Sequence, residues 1–224
     1  MMAESCPVEM IAETDCDPPV RGFLHNSRAT ERATLVLTHG AGSNCQAPLL
    51  VAVAETLAEA GLRVLLCNLP FRQERPQGPP RPGDAARDRA GLKNAVEAAR
   101  KFFSGQIFLG GHSYGGRQAT MLAAGDPSVA DGLLLLSYPL HPPRKPAQLR
   151  TQHLPNLRTP ALFVHGTRDP FGSIEEMQAA LKLVSARTLL MPVPGGHDLA
   201  FIQGKRPDWI AELPREILSF FPPG

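Results

Sequence analysis

The chain has 224 residues, of which 43% are hydrophobic and 20% charged, a composition typical of a folded globular protein and not of a disordered one. Its formal net charge of +2 gives no electrostatic reason to expect a nucleic acid or a membrane as partner, and we expect neither. The length favours a single domain covering residues 1–224.

The elements predicted along the chain alternate between strands and helices. Two short strands come first, joined by a turn-rich segment, and are expected to form an antiparallel edge. The predicted strands are 8–13, 20–24, 34–38, 63–67, 106–109, 133–136, 161–164 and 188–191. The predicted helices are 49–60, 84–103 and 116–124, one that opens at 173, and a closing helix marked by apolar residues from 210 to 220.

Three residues mark helix ends. Asp84 is expected to cap the helix that follows it, and Ser173-Ile-Glu-Glu176 has the spacing of a capping box. Pro214 lies inside the closing helical pattern, which predicts either a kink or a helix that begins there.

Continuous apolar strands that alternate with amphipathic helices predict an α/β fold, with a mostly parallel sheet covered by helices on both faces. In such sheets the ligand site lies at the carboxyl ends of the strands. The residues that directly follow each strand are therefore the candidate site residues.

The segment Gly111-His-Ser113-Tyr-Gly115 follows the predicted strand 106–109 and precedes a helix, which is the context of a nucleophile elbow. A strained turn would present the Ser113 hydroxyl above the sheet, and side chains two positions away would collide with the strand and helix backbones. The sequence therefore predicts Ser113 as a nucleophile, the alternative being a glycine-rich turn.

A nucleophilic serine needs a base and an acid that orients it. Asp169 follows the strand 161–164, and His197 follows the strand 188–191 and is the only histidine after Asp169. Asp198 is a rival acid, but its adjacency to His197 points the two side chains apart. Taken singly, Asp169 could cap a turn and His197 could be a surface residue; the order Ser113, Asp169, His197 predicts a catalytic triad.

The turn His39-Gly-Ala-Gly42 follows the first central strand. The three residues after His39 have no side chain or only a methyl group, so the backbone of this turn can approach a substrate. The predicted oxyanion donors are the N–H groups of Ala41 and of Tyr114, the residue after the nucleophile. His39 is expected to hold this turn by hydrogen bonds.

Two glycine-rich segments resemble nucleotide-binding motifs but lack residues that these motifs require, which argues against nucleotide binding. Gly40-Ala-Gly42-Ser-Asn-Cys45 lacks the third glycine of a dinucleotide fingerprint, and Gly111–Gln118 lacks the Lys-Ser/Thr of a phosphate loop.

Together these residues resemble the α/β-hydrolase family from about residue 8 to 220. Four stretches are similar to its small dienelactone-hydrolase-like branch, which includes testis-expressed hydrolase-like proteins: 37–41, 109–117, 137–143 and 154–169. The resemblance implies the α/β-hydrolase fold, with Ser113, Asp169 and His197 as triad and Ala41 and Tyr114 as oxyanion donors. By this resemblance, the position of Ser113 matches that of the cysteine nucleophile in the dienelactone hydrolases, after which the branch is named.

The expected reaction is hydrolysis of a small soluble ester, lactone or thioester. The stretch between the strands 133–136 and 161–164 is Pro-rich and has no long amphipathic helix, so only a minimal lid is expected and lipase activity is disfavoured. Two alternatives stay open: a non-catalytic scaffold with the same fold, and an acyltransferase. No metal or cofactor is implied.

Arginines near the predicted site suggest a preference for acyl groups that carry a carboxylate or phosphate. Arg72 and Arg81 lie in the connection 70–83, and Arg117 opens the elbow helix. The alternatives are that they are solvated surface residues, or that Arg117 pairs with an acid to fix the elbow.

The four cysteines form no CxxC pair or zinc-ligand spacing, and the amino terminus lacks a signal-peptide pattern, so we expect a cytoplasmic protein with free thiols. No exposed apolar stripe predicts an oligomeric state.

Overall fold

The computed structural model describes residues 6–27, 32–202 and 205–222. Residues 1–5, on which the expectation of no signal peptide depends, lie outside them. In the described part the strands are β1 Val8–Glu13, β2 Val20–His25, β3 Ala33–Thr38, β4 Leu62–Cys67, β5 Gln106–His112, β6 Gly132–Leu136, β7 Ala161–Gly166 and β8 Thr188–Val193. The helices are α1 Pro48–Glu59, α2 Pro70–Glu74, α3 Asp84–Phe102, α4 Tyr114–Gly125, α5 Ile174–Leu181 and α6 Asp208–Phe220.

The strands form one sheet in the order β1-β2-β4-β3-β5-β6-β7-β8. Strands β3 to β8 are parallel to one another, whereas β2 runs antiparallel to both β1 and β4. The mostly parallel sheet and its antiparallel edge are therefore confirmed.

The strand order reverses at β3. The chain goes from β3 to β4 on one side and returns to place β5 on the other. Loops that leave β3 and β5 diverge at such a point and leave a crevice between them at the carboxyl ends of the strands. The candidate serine and the candidate oxyanion turn lie in these two loops.

Helices cover both faces of the sheet because each parallel strand is apolar on both sides. In β3, Val36 packs on the face covered by α3, α4 and α5, while Leu35 and Leu37 pack on the face covered by α1 and α6. The four leucines of β6 are all buried, as expected of a strand enclosed on both faces.

Three local predictions need correction. The connection 70–83 contains the short helix α2, which the sequence pattern did not predict. The N-cap of α3 is Gly83, with φ of +99°, and Asp84 is the first helical residue, where its carboxylate accepts the Arg81 N–H. Helix α6 begins at Asp208 and continues through Pro214, so a start at Pro214 is wrong.

The capping box of α5 is confirmed, because the Ser173 hydroxyl accepts the Glu176 N–H and the Glu176 carboxylate accepts the Ser173 N–H. The connection 137–160 holds only a single 3₁₀ turn, Leu154–Asn156, in agreement with the expected minimal lid. In the ranges described, every helix is too short or too polar to cross a bilayer.

Candidate active site

Ser113 lies between β5 and α4 in a strained conformation. Its φ is +51° and its ψ is −115°, a region that L-residues rarely adopt. The sharp turn is possible because glycines flank it. A Cβ on Gly111 would lie 2.6 Å from main-chain atoms of Gly115 and Gly116, and one on Gly115 would lie 2.5 Å from the His39 carbonyl oxygen. The predicted collision with backbone is confirmed for Gly111, which faces the helix, whereas Gly115 is required by the approach of the turn after β3.

The three residues of the predicted triad meet through two hydrogen bonds. His197 Nε2 lies 2.8 Å from Ser113 Oγ, and His197 Nδ1 lies 2.8 Å from Asp169 Oδ2. A carboxylate only accepts, so Nδ1 carries the proton and Nε2 is free to accept the serine proton. Asp169 is completely buried at its side chain, whereas His197 is 22% exposed and thus accessible to a ligand.

Neighbouring groups fix the acid and the base. The second oxygen of Asp169 accepts the Phe171 N–H at 2.9 Å, and the Phe171 ring lies against the imidazole of His197 with centroids 4.2 Å apart. The carbonyl oxygen of His197 accepts the Nε2–H of His112 at 2.9 Å. His112 therefore ties the nucleophile segment to the base, a contact that the sequence reading missed because no motif marks it.

The turn after β3 is held by His39. Its Nε2 accepts the Leu69 N–H at 3.1 Å, so its Nδ1 carries the proton and donates to the Gly40 carbonyl at 2.8 Å. In a trans peptide the N–H points opposite to the C=O, so this bond aims the Ala41 N–H away from His39. Burial lowers the pKa of His39 to about 4, which keeps the ring neutral near pH 7. The expected structural role of His39 fits this geometry.

Tyr114 is the first residue of α4, so its N–H has no partner within the helix. Its phenol donates to Asp88 Oδ2 at 2.7 Å, and Asp88 Oδ1 accepts the Phe71 N–H at 3.0 Å. Burial raises the pKa of Asp88. The buried carboxylate thereby holds the side chain of the residue whose N–H is a candidate oxyanion donor.

Arg72 does not face a substrate. It is buried, and its guanidinium donates to four main-chain carbonyls at 2.8–3.1 Å, those of Ala41, Ser43, Arg75 and Gly78. The expectation of a substrate-binding Arg72 is therefore corrected: its donors are engaged in bracing the turn that carries Ala41. The sequence analysis did not predict helix α2, and this helix directs the Arg72 side chain into the protein.

Arg81 and Arg117 differ in their surroundings. Arg81 is exposed, and within the described ranges its side chain makes no hydrogen bond or ion pair. Arg117 is half-buried on the first turn of α4, and its N–H bonds to the Ser113 carbonyl at 3.0 Å. No described carboxylate forms an ion pair with Arg117, so the predicted alternative of an acid-paired elbow is not observed.

A cavity of about 300 Å³ lies between α1 and the loop after β8, lined in part by His112 and Asp198, which are the sequence neighbours of Ser113 and His197. Most of its lining is apolar, and the side chains that enclose it are Ser43, Ala47, Pro48, Leu49, Leu50, His112, Asp198 and Phe201. A larger cavity of about 430 Å³ lies at the distant edge of the sheet, between β1, β2 and the end of α3. The smaller one is the better candidate for a substrate pocket, because His112 connects it directly to the base.

Comparison with known proteins adds the following findings. The model of an alpha/beta hydrolase domain family matches residues 31–212. Similar solved structures include a dienelactone hydrolase from Anabaena variabilis, with 20% identity, a TM-score of 0.72 and coverage of 97% of this chain and 98% of that one. Est1E from Butyrivibrio proteoclasticus is 19% identical with a TM-score of 0.70, over 94% and 99% of the two chains. XC6422 from Xanthomonas campestris, described as a serine hydrolase without a lid, is 16% identical with a TM-score of 0.74, over 100% and 98%.

Proposed function

The chain belongs to the alpha/beta hydrolase domain family, and from this premise we propose that it is a serine hydrolase that cleaves a small carboxylic ester, lactone or thioester. One observation carries the proposal. Ser113, His197 and Asp169 form a continuous relay of two 2.8 Å hydrogen bonds, with the base in the tautomer that can accept the serine proton.

The reaction would proceed through an acyl-enzyme. Ser113 Oγ attacks the acyl carbon while its proton passes to His197 Nε2, and Asp169 stabilises the imidazolium. The tetrahedral intermediate then expels the alcohol or thiol, which takes the proton from His197. Water, activated by the same imidazole, attacks the acyl-enzyme and releases the acid and the free Ser113 hydroxyl.

The negative charge of the tetrahedral intermediate needs donors. The Ala41 and Tyr114 N–H groups are proposed for this role. His39 and Arg72 brace the first of them through the turn after β3, and Asp88 holds the side chain that belongs to the second. Loss of one such donor typically lowers the rate by about 10²–10³.

A small substrate fits the surroundings of the relay. The connection 137–160 contains no helix longer than a 3₁₀ turn, and the cavity of about 300 Å³ suits a compact ligand. Structures of similar fold include proteins described as a dienelactone hydrolase and as a serine hydrolase without a lid, which supports the same class of substrate.

A fluorophosphonate probe tests the proposal. The wild-type protein should become labelled at Ser113 and should hydrolyse members of a panel of esters, thioesters and lactones of graded acyl size. Ser113→Ala should lose the label and the activity, whereas Ser104→Ala, which removes an exposed hydroxyl just before β5, at the opposite end of that strand from Ser113, should keep both. A folded wild-type protein that neither labels nor hydrolyses would indicate a scaffold. Transfer of the acyl group to added alcohols in preference to water would indicate an acyltransferase.

A further inference from the structure

Arg117 is part of the elbow helix α4, and Arg89 and Arg150 lie near it on two other segments of the chain. Ser113, Arg117 and Thr120 are spaced along α4 so that they share one face. Arg117 lies four residues after the candidate nucleophile, a rise of about 6 Å along the helix. Its Nε atom is buried and has no hydrogen-bond partner among the described residues.

The connection after β6 brings Arg150 and His153 against this face. His153 Nε2 lies 2.8 Å from Thr120 Oγ1, and the Tyr138 hydroxyl donates to the Arg150 carbonyl at 3.0 Å. Arg150 is half-buried, and one of its N–H groups makes a long contact of 3.4 Å with the Pro139 carbonyl. These bonds hold the Arg150 backbone and the His153 side chain close to Arg117.

Arg89 approaches α4 from α3. Its guanidinium donates to Gln118 Oε1 at 2.9 Å, and the Nε2 of the fully buried Gln118 has no partner in the described part of the chain. The described residues include no carboxylate within ion-pair distance of Arg89, Arg117 or Arg150. This part of the molecule thus holds three arginines with no described carboxylate within ion-pair distance, and the buried Nε of Arg117 is an unpaired donor.

The electrostatic consequences are visible on the neighbouring groups. Burial and the charges of Arg117 and Arg89 lower the pKa of His153 to about 4, and burial together with Arg117 lowers the pKa of Arg150. Holding like charges together in a partly desolvated place is unfavourable unless an anion offsets it. Exposed arginines, in contrast, would spread into solvent.

We propose that Arg117, Arg150 and Arg89 form a subsite for an anionic group, a carboxylate or phosphate, carried by the acyl part of the substrate. The inference rests on the proposed serine hydrolase function, because it places the anion one helical turn from Ser113. An acyl chain of a few carbons spans that separation, so half-esters of short dicarboxylic acids are the simplest substrates of this class.

The test compares two esters of equal length. Monomethyl glutarate carries the anion, and methyl 4-carbamoylbutanoate replaces the carboxylate by a neutral amide. We expect kcat/KM to be about 10- to 100-fold higher for the anionic ester. Arg117→Gln and Arg150→Gln should bring this ratio close to one, and Arg117→Lys should restore part of it.

Arg158→Gln is the matched control. It removes one exposed positive charge beside the amino end of β7, at the sheet edge opposite the site, and should leave the ratio unchanged. Equal kcat/KM for the two esters in the wild type would overturn the subsite while leaving the hydrolase proposal intact.

A binding measurement tests the proposed anion subsite independently of catalytic turnover. Ser113→Ala should bind glutarate in a calorimetric titration, and the double variant with Arg150→Gln should bind it at least about tenfold more weakly. Circular dichroism establishes that both are folded. Equal binding, or none, overturns the subsite. Failure of the fluorophosphonate label would reject the hydrolase proposal without touching this result.

Discussion

Arg72 is a buried cation whose positive charge is stabilised by the dipoles of main-chain carbonyl groups. In the described part of the chain it has no carboxylate partner, and its guanidinium joins the turn after β3 to the loop that follows α2. The planar fork of arginine suits this role, since it can bond carbonyls in several directions at once. The candidate oxyanion turn therefore depends on a residue that would contact no substrate.

Replacement of Arg72 by lysine measures this dependence. The single ammonium cannot reach four carbonyls, so we expect the free energy of unfolding to fall by about 1–3 kcal/mol. We also expect kcat for a neutral ester to fall with little change in KM, because the turn that carries the Ala41 N–H loses support. Urea unfolding and steady-state kinetics give both quantities.

Arg87→Lys is a suitable control, since its exposed ion pairs with Asp17 and Glu74 should contribute little to stability. The structural role would be contradicted if Arg72→Lys left the stability unchanged and raised KM for anionic esters alone. That result would support the substrate-binding role that the sequence suggested for Arg72.

At the scale of elements, the junction of β5 and α4 requires close approach of backbones. A Cβ on Gly115 would meet the His39 carbonyl oxygen and the Thr38 Cγ2 atom, at 2.5 and 2.6 Å. Under the proposed mechanism, the helix must lie against the turn after β3 so that the two proposed oxyanion donors, the Ala41 and Tyr114 N–H groups, can bind one oxygen. The glycine thus serves the site by allowing two elements to pack.

Two alanine substitutions in the same helix separate packing from helix propensity. Gly115→Ala should lower the free energy of unfolding by about 1–3 kcal/mol, since main-chain atoms would have to move. Gly125→Ala adds a methyl group where no atom lies within 4 Å, and should leave stability unchanged or raise it by up to about 1 kcal/mol. Chemical unfolding of the two variants provides the comparison. Similar effects at both positions would show that the elbow tolerates a side chain.

At the scale of the whole molecule, the fold removes several histidines from water. Burial lowers the pKa of His39 and His112 to about 4, and it also lowers the pKa of His25 and His165. In the unfolded chain these groups would titrate near 6.5. Between pH 6.5 and about 4 the unfolded state therefore binds more protons than the native state.

The stability of the protein should accordingly fall as the pH decreases through this window. Each histidine that stays neutral in the native state contributes a loss of about 1.4 kcal/mol per pH unit. Asp88 acts in the opposite sense, because burial raises its pKa and the native state gains a proton more readily there. Urea unfolding at a series of pH values measures the balance. A free energy of unfolding that stays constant from pH 7 to pH 5 would contradict the expectation.

The sequence by itself was sufficient for features that depend on neighbouring residues and on the topology they imply. Strand and helix patterns, the capping box at Ser173 and the strand–turn–helix context of Ser113 are local. Parallel strands bring their carboxyl ends to one edge, so Asp169 and His197 could be predicted to join Ser113 although they lie 56 and 84 positions away. The start of α6 and the cap of α3 were missed, because Pro214 and Asp84 each fit more than one position in a helix.

The tertiary structure alone decided where the arginines lie. Arg72 turns inward to the Ala41 carbonyl, 31 positions earlier, and Arg89 and Arg150 come near α4 because α3 and the connection after β6 pack against it. A long cationic side chain can reach solvent, a carbonyl or another chain segment with similar ease, and composition does not distinguish among them. The choice depends on which loops lie within reach, and that is fixed only when the helices have packed on the sheet.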